Sequence, residues 1–305
     1  MQNALPALTV SRMRRHFAAW KDYKYGWKGK NMSIKILAVD MDGTTLNSQN
    51  TLSAGNQEVL QRAINAGVLV VPATGRQFSG LPPQLEKING IRYYLCSNGA
   101  VVYDRMKQKI LHQDLMSCKL ALRALTEISS YKSSYMDLYI NGKAYTSKAR
   151  YQDPLKYGVS VLHEKTFLAS RIPVDDIADF LTGTQSCPEK IFSIFNDTDD
   201  FLTCWKKLET WPEVSITNSI NNSIEVTHCT ATKGGGLKAL AGLLNVPRDS
   251  VMAVGDGLND ISMLDWAKTS VAMGNADGKV CEHASFKTAD CDHDGLAKAI
   301  ERFVF

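Results

Sequence analysis

The sequence predicts an α/β protein whose core is a parallel sheet, with a second, α+β domain inserted into it. Short apolar runs that end in polar clusters recur along the chain, and stretches of helical spacing separate them, as in alternating strands and helices. Polar clusters suited to phosphate chemistry stand before and after the middle of the chain, and none lies within it. The middle is therefore predicted to interrupt the core domain.

The length of 305 residues, with 44% hydrophobic content, allows two domains. The core is assigned to residues 32–113 and 224–305, and the inserted domain to residues 114–223. Residues 1–31 are predicted to be a basic extension, either a disordered tail or sequence upstream of a later start at Met32. These are favoured over a targeting segment because the extension lacks the apolar centre of a secretory signal.

Charge and cysteine content restrict the class of protein. The formal net charge is +4, but residues 1–30 hold seven basic residues against one acid, so the rest of the chain sums to −2. This balance gives no reason to expect nucleic-acid binding. The seven scattered cysteines predict reduced thiols in a cytoplasmic protein. No stretch of about 18 apolar residues is present, so we expect no membrane span. We also expect the protein to be a monomer or a weak homodimer.

The predicted elements follow from apolar periodicity. The core strands are predicted at Ile34–Asp40, Val68–Gly75, Ile91–Asn98 and Val251–Asp256. The core helices are predicted at Ser53–Ala66, from Lys233 to before Pro247, at Asn259–Ala267 and at Gly295–Phe303 with Asp294 as its cap. The inserted domain is predicted to contain strands Met136–Ile140 and Ile191–Phe195 and helices Leu120–Ile128 and Val174–Leu181.

Asp40 and Asp42 end the first predicted strand. An extended backbone points residues i and i+2 the same way, so both carboxylates are predicted to face one volume, before a sharp turn at Gly43. A calcium loop would need Gly at position 45 and Glu at position 51, where the chain has threonines. A hairpin turn would explain Asp42 and Gly43 but leaves Asp40 unexplained, since a charge at the end of a buried strand is costly unless paired or bound to metal.

Three further clusters follow, and because ligands bind at the carboxyl ends of parallel strands, all four are predicted to converge. Thr74, Gly75 and Arg76 offer a hydroxyl, an amide and a guanidinium for phosphate oxygens, although a simple Thr-Gly turn also explains them. Lys233 is predicted to begin a helix, where its positive charge opposes the helix dipole, so an anionic partner would explain its position. Taken alone, Lys233 is more simply interpreted as a surface lysine. The run Gly255–Asp260 supplies hard oxygen ligands of the kind that Mg²⁺ prefers.

With these clusters in this order, the chain from Ile34 onward resembles the haloacid dehalogenase (HAD) superfamily, and within it the Cof-type sugar-phosphatase group. The motifs that carry the resemblance are D-x-D-G-T at 40–44, T-G-R at 74–76, Lys233 and G-D-x-x-N-D at 255–260. The runs Ser97–Ala100 and Val271–Ala276 are also similar to that group, whereas Thr45 stands where leucine is usual. The resemblance implies a HAD-like Rossmannoid parallel-sheet core with an inserted α+β cap domain of the C2B type.

The resemblance also implies the site. Asp40 would be the nucleophile that forms an aspartyl-phosphate, and Asp42 would protonate the leaving oxygen and then activate water. Mg²⁺ would be held by Asp40, the main-chain carbonyl of Asp42 and Asp256, with Asp260 close by. The phosphate-binding residues would be Met41, Thr74, Gly75, Arg76, Lys233 and Asn259.

The predicted function is Mg²⁺-dependent hydrolysis of small phosphorylated metabolites, with sugar phosphates as the default substrates. A phosphomutase or phosphotransferase would share the same core residues and would differ in what the inserted domain allows to attack the intermediate. A non-catalytic sensor of phosphorylated ligands is the third hypothesis. The intact set of Asp40, Asp42, Lys233 and Asp256 disfavours it, because a pure binder would be free to lose the nucleophile.

Overall fold

The structure, a computed structural model, describes residues 34–184 and 186–305. The predicted extension at residues 1–31 lies outside them. The strands are β1 (Ile36–Asp40), β2 (Leu69–Ala73), β3 (Tyr93–Cys96), β4 (Val101–Asp104), β5 (Lys109–Gln113), β6 (Ser134–Ile140), β7 (Lys143–Ser147), β8 (Arg171–Val174), β9 (Lys190–Phe195), β10 (Val214–Thr217), β11 (Ser223–His228), β12 (Val251–Gly255), β13 (Thr269–Ala272) and β14 (Phe286–Lys287). The helices are α1 (Ala54–Asn65), α2 (Cys118–Ser129), α3 (Lys148–Gln152), α4 (Val161–Ser170), α5 (Ile177–Thr184), α6 (Thr198–Glu209), α7 (Lys233–Leu243), α8 (Ile261–Trp266), α9 (Gly278–Cys281) and α10 (Gly295–Phe303).

The first sheet has eight strands in the order β14-β13-β12-β1-β2-β3-β4-β5. The strands from β14 to β3 are parallel, and β4 and β5 continue the sheet antiparallel. The central strands β1 and β12 are buried along their whole length, as expected for strands covered on both faces. Their carboxyl ends meet at one edge of the sheet, where the candidate site lies.

Helices cover both faces of the first sheet. On one face α1 and α10 pack against Leu37 and Val39 of β1. On the other face α7 and α8 pack against Ile36 and Ala38. This alternation along β1 produces two apolar layers and gives the α/β core that the sequence predicts.

The second sheet has six strands in the order β10-β11-β9-β6-β7-β8, antiparallel except for the pair β7 and β8. Helices α2, α5 and α6 cover one of its faces, with Leu138, Ile191 and Val226 in the shared core. This α+β arrangement is inserted in the chain between β5 and β12 of the first sheet. Strand β11 carries the second sheet to His228, past the predicted border at 223/224, and the domain limits themselves remain a prediction.

Two local predictions need correction. The predicted helix Val174–Leu181 is a strand end followed by α5, because Pro173 favours extended backbone and Asp176 accepts the N–H groups of Ala178 and Asp179 at 2.8 and 2.9 Å. Asp294 precedes α10 with a left-handed φ of 53°, but in the described part of the chain its side chain caps no N–H of that helix.

The carboxylate of Asp294 instead accepts the hydroxyl of Ser53 at 2.6 Å. Ser53 is the residue that caps α1, since its Oγ accepts the N–H of Asn56. The two helix starts are thus joined by a side-chain hydrogen bond. Over residues 34–184 and 186–305, none of the helices combines the length and the apolar character that crossing a membrane requires.

Candidate active site

The four predicted clusters lie at the carboxyl edge of the first sheet. β1 ends at Asp40, the turn at Thr74 follows β2, and the loop at Asp256 follows β12. The parallel pairing places these ends side by side, since Val39 pairs with Val254 and Asp40 with Ala73. The convergence predicted for parallel strands therefore accounts for the site.

Lys233 lies at the buried centre of this edge. Its ammonium nitrogen is 2.5 Å from Oδ1 of Asp40 and 2.6 Å from Oδ1 of Asp260, and its side chain is fully buried. The other oxygen of Asp260 accepts the main-chain N–H groups of Asp256 and Gly257, both at 2.9 Å. Asp260 thus fixes both the lysine and the loop that carries Asp256.

Asp256 is held by two donors. Its Oδ1 accepts the hydroxyl of Thr44 at 2.6 Å, and its Oδ2 accepts the side-chain amide of Asn275 at 3.0 Å. The same amide donates to the main-chain oxygen of Gly43 at 2.9 Å. Gly43 has φ +85°, and a Cβ there would lie 2.4 Å from Asp256, so only glycine allows this close approach.

The electrostatics of this cluster favour a cation. Oxygen atoms of Asp40, Asp256 and Asp260 all lie within 4.8 Å of one another. Burial, together with the charge of Asp260, raises the pKa of Asp40 well above its usual range and the pKa of Asp256 to about 6. Burial lowers the pKa of Lys233, but Asp260 and Asp40 outweigh it and raise that pKa.

Lys233 therefore pairs with two of these three carboxylates, and the cluster carries excess negative charge when all three are ionised. Hard carboxylate oxygens at this spacing are the ligands that Mg²⁺ takes in proteins. A divalent cation would offset both the burial and the repulsion from Asp260 that raise the two pKa values. The residues present fit the ion that the sequence predicts.

Asp42 has different surroundings. Its side chain is 53% exposed, and its two oxygens accept Nη2 and Nε of Arg76 at 2.8 and 3.1 Å. β1 ends at Asp40, and Asp42 forms only an isolated bridge with Leu46, so the strand geometry that predicted a common direction stops before Asp42. Arg76 is thus placed beside the proposed acid.

The remaining predicted residues lie around these groups. Thr74 is buried, and its hydroxyl accepts the N–H of Arg76 at 3.1 Å. The side chain of Met41 is buried in the apolar core, so only its main chain can face a ligand at the sheet edge. Asn259 donates from its amide to Oδ1 of Asn98 at 3.2 Å, and the main-chain oxygen of Gly75 accepts Lys190.

Sequence reasoning missed five residues that contact this site: Thr44, Asn98, Lys190, Glu225 and Asn275. Thr44, Asn98 and Asn275 lie in motifs that were visible in the sequence, but their hydrogen bonds join segments far apart in the chain. Lys190 and Glu225 belong to strands of the second sheet. Nothing in the local sequence of those strands indicates that they reach the first.

Comparisons with known proteins agree with this architecture. A family model described as haloacid dehalogenase-like hydrolase matches residues 37–300. The phosphatase YwpJ of Bacillus subtilis is 28% identical over 295 residues, which cover 89% of this chain and 100% of that protein. The pyridoxal phosphate phosphatase YbhA of Escherichia coli is 26% identical over 274 residues, which cover 88% of this chain and 98% of that protein. A solved haloacid dehalogenase-like hydrolase from B. subtilis aligns with a TM-score of 0.76 at 26% identity, over 88% of this chain and 99% of that one.

Proposed function

The chain belongs to the haloacid dehalogenase-like hydrolases, as its motifs predict, and is a phosphoric monoester hydrolase; from its site we propose that it hydrolyses small phosphorylated metabolites, with Mg²⁺, through an aspartyl-phosphate at Asp40. The observation that carries the proposal is the buried Lys233 between Asp40 and Asp260, with Asp256 beside them. A nucleophile, a fixed cation and hard metal ligands then meet at one point.

In the first half-reaction an oxygen of Asp40 attacks phosphorus and forms an acyl-phosphate bond. The bond between phosphorus and the ester oxygen breaks, its electron pair stays on that oxygen, and Asp42 donates the proton that neutralises it. In the second half-reaction Asp42 takes a proton from water as the water oxygen attacks phosphorus. The acyl-phosphate bond breaks, its electron pair returns to the carboxylate of Asp40, and inorganic phosphate leaves.

We assign the metal site to Asp40, the main-chain carbonyl of Asp42 and Asp256, with Asp260 behind them. When bound, Mg²⁺ supplies positive charge that offsets the repulsion between a carboxylate and a phosphate dianion. Lys233 contributes to the same end as a fixed ammonium that needs no reorganisation during the reaction.

We assign phosphate binding to the main chain of Met41 and Gly75, the hydroxyl of Thr74, the ammonium of Lys233 and the amide of Asn259. Arg76 was predicted to contact phosphate too, and here it holds Asp42 by two hydrogen bonds. A guanidinium carries five N–H donors and this contact uses two of them, so Arg76 can orient the acid and still contact phosphate. Both roles are therefore proposed for Arg76.

A cavity of about 330 Å³ lies beside the site and supports a small substrate. It extends from Lys233 and Asn259 of the core to Thr217 of β10. Its wall combines apolar side chains, such as Trp205, Ile216 and Leu258, with hydroxyl and amide groups from Asn98, Ser215, Thr217, Thr227, Thr232 and Ser262. Such groups can exchange hydrogen bonds with a polyol, so sugar phosphates are the proposed substrates.

A phosphate-release screen tests this function. The full chain is assayed with and without Mg²⁺ on hexose, pentose and triose phosphates, nucleotides, flavin mononucleotide and pyridoxal phosphate, with Asp40→Asn as the control for contaminating phosphatases. The proposal expects Mg²⁺-dependent release without an added acceptor. Release that depends on a bisphosphate activator would favour a phosphomutase, and binding without turnover would favour a sensor. The cytoplasmic location and the monomer or weak homodimer remain predictions.

A further inference from the structure

Lys190 and Glu225 form a buried ion pair where the second sheet meets the first. Lys190 begins β9 and Glu225 lies in the neighbouring β11, where it pairs with Phe192. Residues two apart on a strand share a face, so Lys190 and Glu225 lie on the same face of the second sheet. Ile191 and Val226, next to them in sequence, point to the opposite face and pack under the helices. The pair therefore lies on the face that helices α2, α5 and α6 leave open.

The pair contacts the turn that carries the proposed phosphate-binding groups. The ammonium of Lys190 is 3.1 Å from Oε2 of Glu225 and donates to the main-chain oxygen of Gly75. The same Oε2 accepts the side-chain amide of Asn98, and Oδ1 of Asn98 accepts Asn259 at 3.2 Å. We call Gly75, Asn98, Lys190, Glu225 and Asn259 the inter-sheet network.

Gly75 shows how closely the network is packed. A Cβ on Gly75 would lie 3.0 Å from Oδ1 of Asn98, 3.2 Å from Oε2 of Glu225 and 3.4 Å from Nζ of Lys190. Three polar side chains, two of them from the second sheet, thus close around this position. A methyl group at position 75 would therefore have to displace these side chains by a few tenths of an ångström.

The pair is completely enclosed, since the side chains of Lys190 and Glu225 are 2% and 3% exposed. The other oxygen of Glu225 accepts the hydroxyl of Ser219 at 2.7 Å, and the ammonium of Lys190 lies 4.5 Å from the ring centre of Tyr139. A buried ion pair is a weak source of stability, because desolvation offsets most of its attraction. What the pair does supply is a fixed orientation of the groups that it contacts, because each partner must meet a defined set of donors and acceptors.

We propose that Lys190 and Glu225 are positioning residues, which hold the Thr74–Arg76 turn and Asn259 in their working geometry when the second sheet is docked. The inference rests on the proposed function, in which Thr74, Gly75 and Asn259 contact the phosphoryl group. Neither member of the pair touches the reacting atoms. They act through the main chain of Gly75 and the side chain of Asn98.

Three variants of the full chain test the proposal: Lys190→Met, Glu225→Gln and the double variant. Because removing one partner leaves the other charge buried, a single variant can fail to fold, whereas the double variant removes both charges at similar volume. The exposed pair Lys148 and Asp175 provides the matched control, as Lys148→Met with Asp175→Asn. Each protein is measured for phosphate release from one ester with saturating Mg²⁺, for thermal unfolding and for amide hydrogen exchange.

The double variant is expected to unfold within a few degrees of wild type and to lose about 10²-fold in kcat, because small misplacements of binding groups are that costly. The KM should change little, since the loss falls on the transition state. Amide exchange should become at least about tenfold faster in residues 74–98, while Val251–Gly255 stays protected. The control pair should match wild type in all three measurements.

Two results would overturn the proposal. One is a folded double variant with wild-type kcat, because the pair would then only balance charge. The other is exchange that quickens equally everywhere, because the loss would then be one of stability alone. If the wild type releases no phosphate, the proposed function fails, and the local exchange comparison still decides the role of the pair.

Discussion

Lys233 and Asp40 form an ion pair of 2.5 Å that is buried under the carboxyl edge of the first sheet. Because the same ammonium also pairs with Asp260, Lys233→Met leaves two carboxylates without their cation. We expect the free energy of unfolding to fall by about 3–5 kcal/mol and turnover to fall at least about 100-fold. Urea unfolding measures the change in stability and phosphate release measures the change in turnover. The control is Lys238→Met, at an exposed lysine of α7. A stable and active Lys233→Met protein would remove the lysine from the mechanism.

The position of Asp42 beside Arg76 predicts a dependence on the leaving group. Asp42→Asn should slow an alkyl phosphate by about 10²–10⁴-fold, because its alkoxide needs a proton. The first turnover of 4-nitrophenyl phosphate should be affected much less, since nitrophenolate leaves unprotonated, and a burst should precede a slow steady state. Rapid mixing measures both. Equal losses in the first turnover of the two esters would show that Asp42 is not the acid.

Asn275 predicts an effect on metal affinity rather than on chemistry. Its amide joins Asp256 to the main chain of Gly43, and groups that orient a ligand are typically worth about 10–100-fold in metal affinity. Asn275→Ala should weaken Mg²⁺ binding by that factor and recover most of its kcat at saturating Mg²⁺. Calorimetric titration measures the affinity, with the exposed Asn65→Ala of α1 as control. Unchanged affinity would contradict the assignment of Asp256 as a ligand.

The raised pKa of Asp256 predicts how Mg²⁺ binding depends on pH. Burial and the charge of Asp260 raise this pKa to about 6, so below that pH the carboxylate is protonated and Mg²⁺ must displace the proton. The affinity should therefore fall by at least about tenfold per pH unit below pH 6, because protonation of Asp40, whose pKa is also raised, adds to the loss. Titrations at about pH 5, 6 and 7 in two buffers also measure the protons released. An affinity that stays constant over this range would contradict the electrostatic account.

The core of the fold and the acidic cluster follow from sequence because each depends on local pattern. Strands β1 and β12 are apolar runs that end in acids, and the rule for parallel sheets brings Asp40 and Asp256 together. The family and the α/β core with its inserted α+β part, both predicted from these motifs, are confirmed by the matches to known proteins.

What the sequence leaves out depends on docking between distant segments. The partners of Asp42 and Asp256, which are Arg76, Thr44 and Asn275, are set by how loops meet at the edge of the sheet. Lys190 and Glu225 lie in strands with ordinary alternation, and only the placement of the second sheet brings them to Gly75. Likewise, the pattern of residues 174–181 reads as one helix, although Pro173 and the capping Asp176 begin the helix only at Ile177.

The most direct test of the central claim is to trap the covalent intermediate. The wild-type chain is mixed with Mg²⁺ and a cleaved ester, quenched in acid within one turnover and reduced with borohydride, which converts an acyl phosphate to the alcohol. Mass spectrometry of the peptide that contains Asp40 should then show homoserine at position 40, and none in the absence of substrate. Rapid phosphate release without modification at Asp40, or with modification at another carboxylate, would contradict the account.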